Sequence, residues 1–349
     1  MTFDLNEIEE KKLISLFNQH EKNLDYLLYL QGIIWQKPAK APESSGPSDQ
    51  YKKRDLLFEN LEKTKPFPND YVKKNIKWDS QLLRLEDYLS NPYLKALSNL
   101  YFHKNDWCLS NKKLEAYSLF SYGEEYHYAS NYNLKINLAY FDQDYNYPSI
   151  SLFSNEWMSL NPYEIRTMET PIITARGKVL TLGLGLGYYA YMVHLKEEVK
   201  EVHIVEMDKG LIDVFNEYLL PLFPYKEKIH IHKADAFSYI QTIKDRDYDF
   251  IFSDLWHDVS DGLPMYLKLK AYFNYFKQTH CSYWIEGSIV TYLRLLVIGV
   301  MKDEFYKQDN DYNDIQLLIK KKLMNHTIRN SSDLDSLLSL RGLNELLFN

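Results

Sequence analysis

Three glycines directly follow a short apolar stretch near the middle of the chain. Residues 178–182 read Lys-Val-Leu-Thr-Leu, and Gly183, Gly185 and Gly187 lead from them into a helical pattern that begins at Tyr188. Ligands of an open parallel sheet bind beyond the carboxyl ends of its strands, and glycine lets the backbone approach a bound molecule closely. The pattern therefore predicts either a loop that contacts a ligand or only a tight turn between strand and helix.

A carboxylate closes the next apolar stretch. Glu206 ends the run Val-His-Ile-Val-Glu, about twenty residues after the glycines, and at this spacing it can accept hydrogen bonds from both ribose hydroxyls of an adenosine. Asp208 suits the N-cap of the following helix, and capping is the alternative role for Glu206 as well. We predict that Glu206 is a ribose ligand.

The third and fourth apolar stretches also end in acidic residues. Asp235, followed by Ala236, either receives an adenine amino group or caps the next helix. Asp254 closes the fourth stretch, and His257 and Asp258 come shortly after it. Carboxylates at one edge of a sheet repel each other unless a ligand or donor hydrogens lie between them. Their clustering therefore favours a binding site.

The glycine turn lacks the residues of two common nucleotide-binding motifs. A dinucleotide-binding fingerprint requires glycine or alanine five residues after Gly183, where this chain has Tyr188. A P-loop requires lysine followed by serine or threonine after the glycines, and the sequence has neither there. The pattern thus favours an adenosine ligand without a pyrophosphate.

Four of these sequence features together resemble the motifs of class I S-adenosylmethionine-dependent methyltransferases. They are the glycine turn, the strand that ends in Glu206, the Ala-Asp-Ala turn around Asp235 and the strand at 248–254. The sequence is most similar to the spermidine-synthase-like branch, which also places a β-hairpin region before the glycine loop, and the similarity spans about 157–296. The resemblance implies that S-adenosyl-L-methionine is the donor. It also implies that the three glycines wrap the donor, Glu206 holds its ribose, and Asp235 with Ala236 faces its adenine. We count Asp208 among the donor-binding residues as well.

Two positions depart from the aminopropyl transferases of this branch. Those enzymes carry an aspartate in the glycine loop that binds the donor's amine, where this chain has Leu186. They also carry two aspartates three residues apart after the fourth strand, where Asp254 is followed at that interval by His257. We therefore predict a methyltransferase of unknown acceptor. The alternatives are an aminopropyl-type or aminocarboxypropyl transferase and a non-catalytic binding protein that keeps the fold.

The chemistry of such a transfer suggests roles for the residues after the fourth strand. Transfer from a sulfonium needs an aligned acceptor lone pair, and a base where the acceptor is neutral. We expect Asp254 to orient the acceptor and His257 or Asp258 to take its proton. The alternative for His257 is a polar loop residue without a chemical role.

Two histidines, His230 and His232, alternate on the predicted third strand and so share one of its faces. A zinc site needs at least three protein ligands, and the sequence shows no third candidate beside them. We expect no metal site.

The elements that position these residues follow from the periodicity of apolar residues. Strands and helices alternate from residue 178 to residue 254, which implies parallel strands joined by right-handed crossovers, and hence a doubly wound, Rossmann-like α/β fold. Helical periodicity covers 4–35 and 79–106. We predict four segments: a helical N-terminal region at 1–112 with a mobile Pro/Ser-rich loop at 37–50, a β-hairpin region at 113–160, a donor-binding domain at 161–302 and a helical tail at 303–349.

The composition limits the class of protein and its partners. With 349 residues, 45% of them hydrophobic, the chain can bury a large core, and its net charge of −7 gives no broad attraction for nucleic acid. Two distant cysteines, no visible signal segment and an apolar window at 289–301 too short to cross a bilayer favour a cytoplasmic protein. We expect a small-molecule acceptor, and a homodimer is compatible with the sequence.

Overall fold

Helices make up most of the N-terminal part of the chain. The computed structural model describes residues 1–35, 50–127 and 132–348, so the predicted loop at 37–50 lies outside them except for its last residue. The first elements, in chain order, are β1 (Thr2–Phe3), α1 (Glu7–Gln31), α2 (Gln50–Thr64), α3 (Asp70–Asp79), β2 (Ser80–Leu82), α4 (Leu85–Leu89) and α5 (Pro92–Leu97).

The region at 79–106 is not the single helix that apolar periodicity predicts. Strand β2 and the short helices α4 and α5 occupy most of it. The Asn91 side chain accepts hydrogen bonds from the backbone N–H groups of Tyr93 and Leu94 at 2.9 and 3.3 Å, and Pro92 stands in the first turn. An N-cap followed by proline begins a new helix, so the prediction of one continuous helix was wrong.

Antiparallel strands follow, where the alternation of residues predicts β-hairpins. These strands are β3 (Phe102–Lys104), β4 (Trp107–Leu114), β5 (Phe120–His127), β6 (Asn133–Tyr140), β7 (Tyr145–Leu152) and β8 (Asn155–Ser159). Among the described residues they belong to two small sheets, of order β2-β6-β5 and β3-β4-β7-β8, in which only the pairing of β2 with β6 is parallel. The hairpin formed by the last two strands leads directly into the central domain.

The central domain is a parallel sheet between helices. Its elements are α6 (Pro162–Thr167), α7 (Glu169–Thr174), β9 (Gly177–Leu182), α8 (Tyr188–His194), β10 (Val199–Glu206), α9 (Lys209–Val214), β11 (Ile229–Lys233), α10 (Ala236–Ile240), β12 (Phe250–Ser253), α11 (Val259–Phe273), β13 (His280–Tyr283) and α12 (Glu286–Tyr306). The described strands of this sheet lie in the order β11-β10-β9-β12-β13, and their pairings are parallel. The predicted doubly wound, Rossmann-like fold is confirmed.

The direction of strand order reverses at β9. Because β10 lies on one side of β9 and β12 on the other, the helices after these strands cover opposite faces of the sheet and leave a crevice at their carboxyl ends. Val179, Leu180 and Leu182 of β9 are each 0% exposed. A strand buried on both faces is a continuous apolar run, which is why residues 178–182 do not alternate.

The C-terminal elements pack on the N-terminal helices. They are α13 (Asp314–Leu323), β14 (Thr327–Ile328), α14 (Ser331–Leu338) and α15 (Leu340–Phe348). Strand β14 pairs with β1, and α1 shares a hydrophobic core with the sheet and with α14 through Leu13, Phe17 and Leu334. Helix α12 is buried, and Arg294 on it donates a hydrogen bond to the Leu338 carbonyl at 2.9 Å. Within the described ranges, none of the helices has the length and apolar character needed to span a membrane.

Candidate functional site

The glycine turn after β9 has a backbone that only glycine adopts easily. Gly183 has a φ of 99° and Gly185 a φ of 52°, both in the left-handed region. A Cβ on Gly183 would lie 2.0 Å from the Asp254 carbonyl oxygen, and one on Gly185 would lie 2.3 Å from Met158 Sδ. The turn is therefore pressed between the end of β12 and the hairpin residue Met158, with its backbone facing the crevice.

Gly187 has a different position from the other two glycines. It is the N-cap of α8 with a φ of 79°, and a Cβ there would lie 2.9 Å from Phe215 Cε2. It does not belong to the lining of the cavity into which Gly183 and Gly185 open. The structure thus separates Gly187 from the predicted donor-contacting glycines and gives it a packing role between α8 and the π-helical turn that follows α9.

Replacing Gly183 with alanine should destabilise the fold, because both the left-handed backbone and the contact with the Asp254 carbonyl oppose a side chain. We expect a loss of about 3 kcal/mol in the free energy of unfolding, measured by urea denaturation. Gly287 in α12 is the matched control, because a Cβ there meets no described atom within 4 Å. Gly287→Ala should be neutral or stabilising by up to about 1 kcal/mol. Equal stability of the two variants would contradict the close packing of the turn.

Glu206 at the end of β10 connects its own strand to the glycine turn. Its Oε2 accepts a hydrogen bond from the Leu184 N–H at 3.3 Å, and its Oε1 accepts one from the Asp208 N–H at 2.8 Å. Each carboxylate oxygen has two lone pairs, so both can accept a further hydrogen bond. The glycine turn and Glu206 line the same cavity, as the sequence-based hypothesis requires.

Asp208 and Asp235 combine a capping role with a place at the cavity. Asp208 Oδ1 accepts from the Leu211 N–H at 2.7 Å and caps α9. Asp235 Oδ1 accepts from the backbone N–H and the hydroxyl of Ser238, each at 2.8 Å, and caps α10. Both residues and Ala236 also line the cavity. The capping alternative and the ligand-binding position are therefore compatible for these aspartates.

The cavity at the carboxyl ends of the strands has a volume of about 790 Å³. Its lining comes from the carboxyl ends of β9, β10 and β12, from β8 and from α6. Its acidic lining carries a negative charge that a cationic ligand could balance. The acidic residues of the lining are Glu156, Glu164, Glu206, Asp208, Asp235 and Asp254.

Two of these carboxyl groups have strongly perturbed pKa values. Burial raises the pKa of Asp254 to about 7. The pKa of Glu164 is raised well above its ordinary value by burial, and further by the charges of Asp254 and Glu156. Across the described ranges, neither Asp254 nor Glu164 has a hydrogen-bond partner for its carboxyl group, whereas Glu156 accepts hydrogen bonds from the Ser149 and Ser159 hydroxyls and pairs with Lys112. Burial therefore disfavours the charged forms of both carboxyl groups, and we refer to them, without hydrogen-bond partners among the described residues, as the uncompensated Asp254–Glu164 pair.

His257 and Asp258 differ in their relation to the cavity. His257 belongs to its lining, and its Nδ1 lies 3.2 Å from Asp261 Oδ2, with its ring edge-to-face against Trp157. Asp258 caps α11, accepting hydrogen bonds from the Ser260 hydroxyl and the Ser260 N–H, each at 2.6 Å, and these hydrogen bonds lower its pKa. Asp258 is not part of the lining. Of the two predicted proton acceptors, the structure places only His257 at the cavity.

Sequence reasoning missed three residues that reach the cavity from elements preceding β9. Glu156 and Met158 reach the cavity from β8, and Glu164 reaches it from α6. Met158 Sδ also accepts from the Leu186 N–H at 3.0 Å, which fixes the hairpin against the glycine turn. The sequence around Glu164 signals only the start of a helix, with Asn161 as N-cap and Pro162 in the first turn.

The sheet order, the glycine turn and the acid-lined crevice together define a Rossmann-like domain of the methyltransferase type. Residues 166–279 match the model of the spermine/spermidine synthase domain. The resemblance to the spermidine-synthase-like branch, which the sequence motifs predict, is thereby confirmed for this part of the chain.

Individual relatives overlap with parts of this chain. A polyamine aminopropyltransferase of Alkaliphilus oremlandii is 30% identical over 101 residues, which is 28% of this chain and 35% of the relative, so the chain spans about a third of that relative's length. Spermidine synthase from Thermotoga maritima shares 17% identity with a TM-score of 0.31, over 42% of this chain and 55% of that one. A spermidine synthase in complex with the transition state analogue AdoDATO shares 19% identity with a TM-score of 0.26, over 31% and 40% of the two chains.

Proposed function

We propose that the chain is a transferase that binds an adenosyl sulfonium in this cavity and moves one of its alkyl groups to an amine. The supporting observation is that the glycine turn, Glu206 and the uncompensated Asp254–Glu164 pair line one cavity. An adenosyl group would explain why the glycine turn and Glu206 open into the cavity. A cationic amine accounts for the carboxylates, because a positive charge between them removes their repulsion.

The donor is held by groups that the structure leaves accessible at the crevice. The backbone of Gly183 and Gly185 lies against the sulfonium side of the donor, and the remaining lone pairs of Glu206 accept from the ribose hydroxyls. Asp235 Oδ2 receives the adenine amino group while Oδ1 keeps its capping role. The small, buried Ala236 leaves room for the base.

The chemical step requires the amine to lose a proton before or during attack. The amine lone pair forms a bond to a carbon next to sulfur, and the carbon–sulfur bond breaks with its electrons going to sulfur, which becomes a neutral thioether. Asp254 takes the proton from the amine, because a base with a pKa near the working pH is the most effective. This role differs from the sequence-based prediction, in which Asp254 orients the acceptor and His257 or Asp258 takes the proton. The Asp258 carboxylate is engaged at the helix cap.

The family match favours aminopropyl transfer over the methyl transfer that the sequence analysis put first. The matched domain is that of spermine and spermidine synthases, and the curated relative is an aminopropyltransferase. In this reaction the donor is decarboxylated S-adenosylmethionine and the acceptor is a diamine or polyamine. Methyl transfer from S-adenosylmethionine is the second candidate, because Leu186 is 0% exposed and cannot bind the amine of a decarboxylated donor.

The products distinguish the two reactions. The purified chain is incubated with either donor and a diamine, and the nucleosides are separated and identified by mass. Aminopropyl transfer should give 5′-methylthioadenosine from the decarboxylated donor and a diamine longer by one aminopropyl group. S-adenosylhomocysteine formed from the intact donor would instead establish methyl transfer. If calorimetry detects binding of neither donor, the transferase proposal is wrong.

A further inference from the structure

Histidines gather on one face of the central sheet near its β11 edge. In the pairing of β10 with β11, His203 lies opposite His230, and the His230 and His232 rings are centred 4.8 and 5.1 Å from that of His203. Glu201 precedes His203 by two positions, so it shares this face. The sequence offered only the pair on β11, and the neighbouring strand supplies two more possible ligands.

We propose that Glu201, His203 and His230 bind a divalent transition-metal ion of the zinc class. One ligand atom from each residue lies within 4.8 Å of the other two. Two imidazole nitrogens with one carboxylate oxygen suit zinc and its neighbours in the first transition row, whereas magnesium and calcium prefer oxygen ligands alone. This site replaces the expectation, drawn from His230 and His232 alone, that the chain binds no metal.

The geometry needs only a modest adjustment to hold the ion. A tetrahedral zinc ion with ligands at about 2.0–2.1 Å places ligand atoms about 3.4 Å apart. Since no separation exceeds 4.8 Å, none must shrink by more than about 1.4 Å. His203 Nε2 and Glu201 Oε2 are already 2.9 Å apart. His230 is exposed on an edge strand and is free to rotate toward them. Three protein ligands leave the fourth position to water.

His232 acts as the outer partner of the His203 ligand. Its Nε2 lies 2.8 Å from His203 Nδ1. A histidine that binds metal through one ring nitrogen usually donates a hydrogen bond from the other, which fixes the tautomer and ring orientation. With the proton on Nδ1 shared with His232, the Nε2 lone pair of His203 points toward Glu201. Without metal, a proton on His203 Nε2 can form the hydrogen bond to the Glu201 carboxylate. When the metal binds, it occupies the position of that proton.

Lys178 is the cation that competes with the metal. Its Nζ lies 3.8 Å from Glu201 Oε2 and 5.1 Å from the centre of the Tyr248 ring. The lysine side chain is 41% exposed, so it can withdraw into solvent when the ion binds. Replacing it with methionine removes the competing charge. Lys178→Met should therefore bind zinc about three-fold more tightly than the wild type.

The test is a calorimetric titration of the metal-free full chain with Zn²⁺. We expect one ion per chain, with a dissociation constant raised at least ten-fold by His203→Gln, by His230→Gln and by Glu201→Gln. His103→Gln, at an exposed histidine of β3, should leave binding unchanged. Zinc should also raise the thermal unfolding midpoint of the wild type but not of His230→Gln, an exposed substitution that leaves the core intact.

Three outcomes would overturn the site. They are the absence of zinc binding by the wild type, equal binding by the wild type and the three variants, and several weak equivalents that His103→Gln lowers as much as His230→Gln does. None of these outcomes depends on transferase activity. The zinc titrations can therefore contradict the metal site without contradicting the proposed transferase function, and the donor-binding and product assays can contradict that function without contradicting the metal site.

Discussion

Replacing Asp254 with asparagine should reduce group transfer by roughly 1000-fold while the affinity for the donor changes less than about three-fold. Asparagine keeps the size of the side chain but cannot take the proton of the amine. The donor contacts Gly185 and Glu206 in the proposed arrangement, so its binding does not depend on this carboxylate. Single-turnover rates and calorimetric donor binding, measured on the same preparation, separate the two effects.

Asp258→Asn is the matched control for this substitution. Asparagine is as good an N-cap as aspartate, so α11 keeps its start, and Asp258 does not belong to the cavity lining. Transfer should stay within about two-fold of the wild type. A variant Asp254→Asn that turns over at the wild-type rate would remove Asp254 from the chemistry. A loss confined to Asp258→Asn would return the role to that residue.

The same Asp254 substitution should also change the pH dependence of stability. A carboxyl whose pKa is raised to about 7 in the folded state costs stability as the pH rises from its ordinary value toward 7. Asp254→Asn should therefore match the wild type below about pH 4 and exceed it by about 2 kcal/mol above about pH 7. Urea denaturation at several pH values measures the difference. A constant difference across the range would show that Asp254 is not buried as a costly charge.

Replacing Glu206 with glutamine should weaken donor binding roughly 100-fold, because hydrogen bonds to a carboxylate contribute about 1.5–3 kcal/mol each. The glutamine amide keeps one acceptor oxygen, which can accept from the N–H of either Leu184 or Asp208. Its NH₂ group then points at the remaining N–H, and two donors cannot form a hydrogen bond. We therefore expect a loss of about 1 kcal/mol in the free energy of unfolding alongside the loss of affinity. Calorimetry with S-adenosylhomocysteine and 5′-methylthioadenosine measures the binding.

Glu198→Gln provides the comparison for Glu206→Gln. Glu198 immediately precedes β10, and its side chain is 58% exposed beside Lys196. Its replacement should alter neither donor binding nor stability by a measurable amount. If Glu206→Gln remains folded and binds both nucleosides as tightly as the wild type, Glu206 has only the structural role of joining β10 to the glycine turn.

Short-range patterns in the sequence were sufficient for the central fold. The apolar run before Gly183, the glycines and the acidic residue that closes the next strand all follow from the local geometry of a parallel strand and its turn. Caps are equally local, and Asp208 and Asp235 occupy the cap positions that their sequence context allows. These patterns identify where each strand ends, and therefore which residues meet at the carboxyl edge of the sheet.

Which residues line the cavity depends on contacts between parts of the chain that are distant in sequence. The β7–β8 hairpin and α6 bring Glu156 and Glu164 toward Asp254, although about ninety residues separate them in sequence. The resulting pKa of Asp254 depends on burial, which is a property of the whole packing around it. The periodicity of residues within one segment carries no information on which distant residues line the cavity or on how deeply Asp254 is buried.

By itself, then, the sequence determined the class of domain, the glycine turn and the position of Glu206, because strand and turn geometry depend on neighbours a few residues apart. Only the tertiary structure decided that Gly187 packs against Phe215, that Asp254 and Glu164 line one cavity, and that His203 lies beside His230. Each of these contacts joins separate elements. Sheet order and register bring such residues together, and both are set by the packing of the complete core.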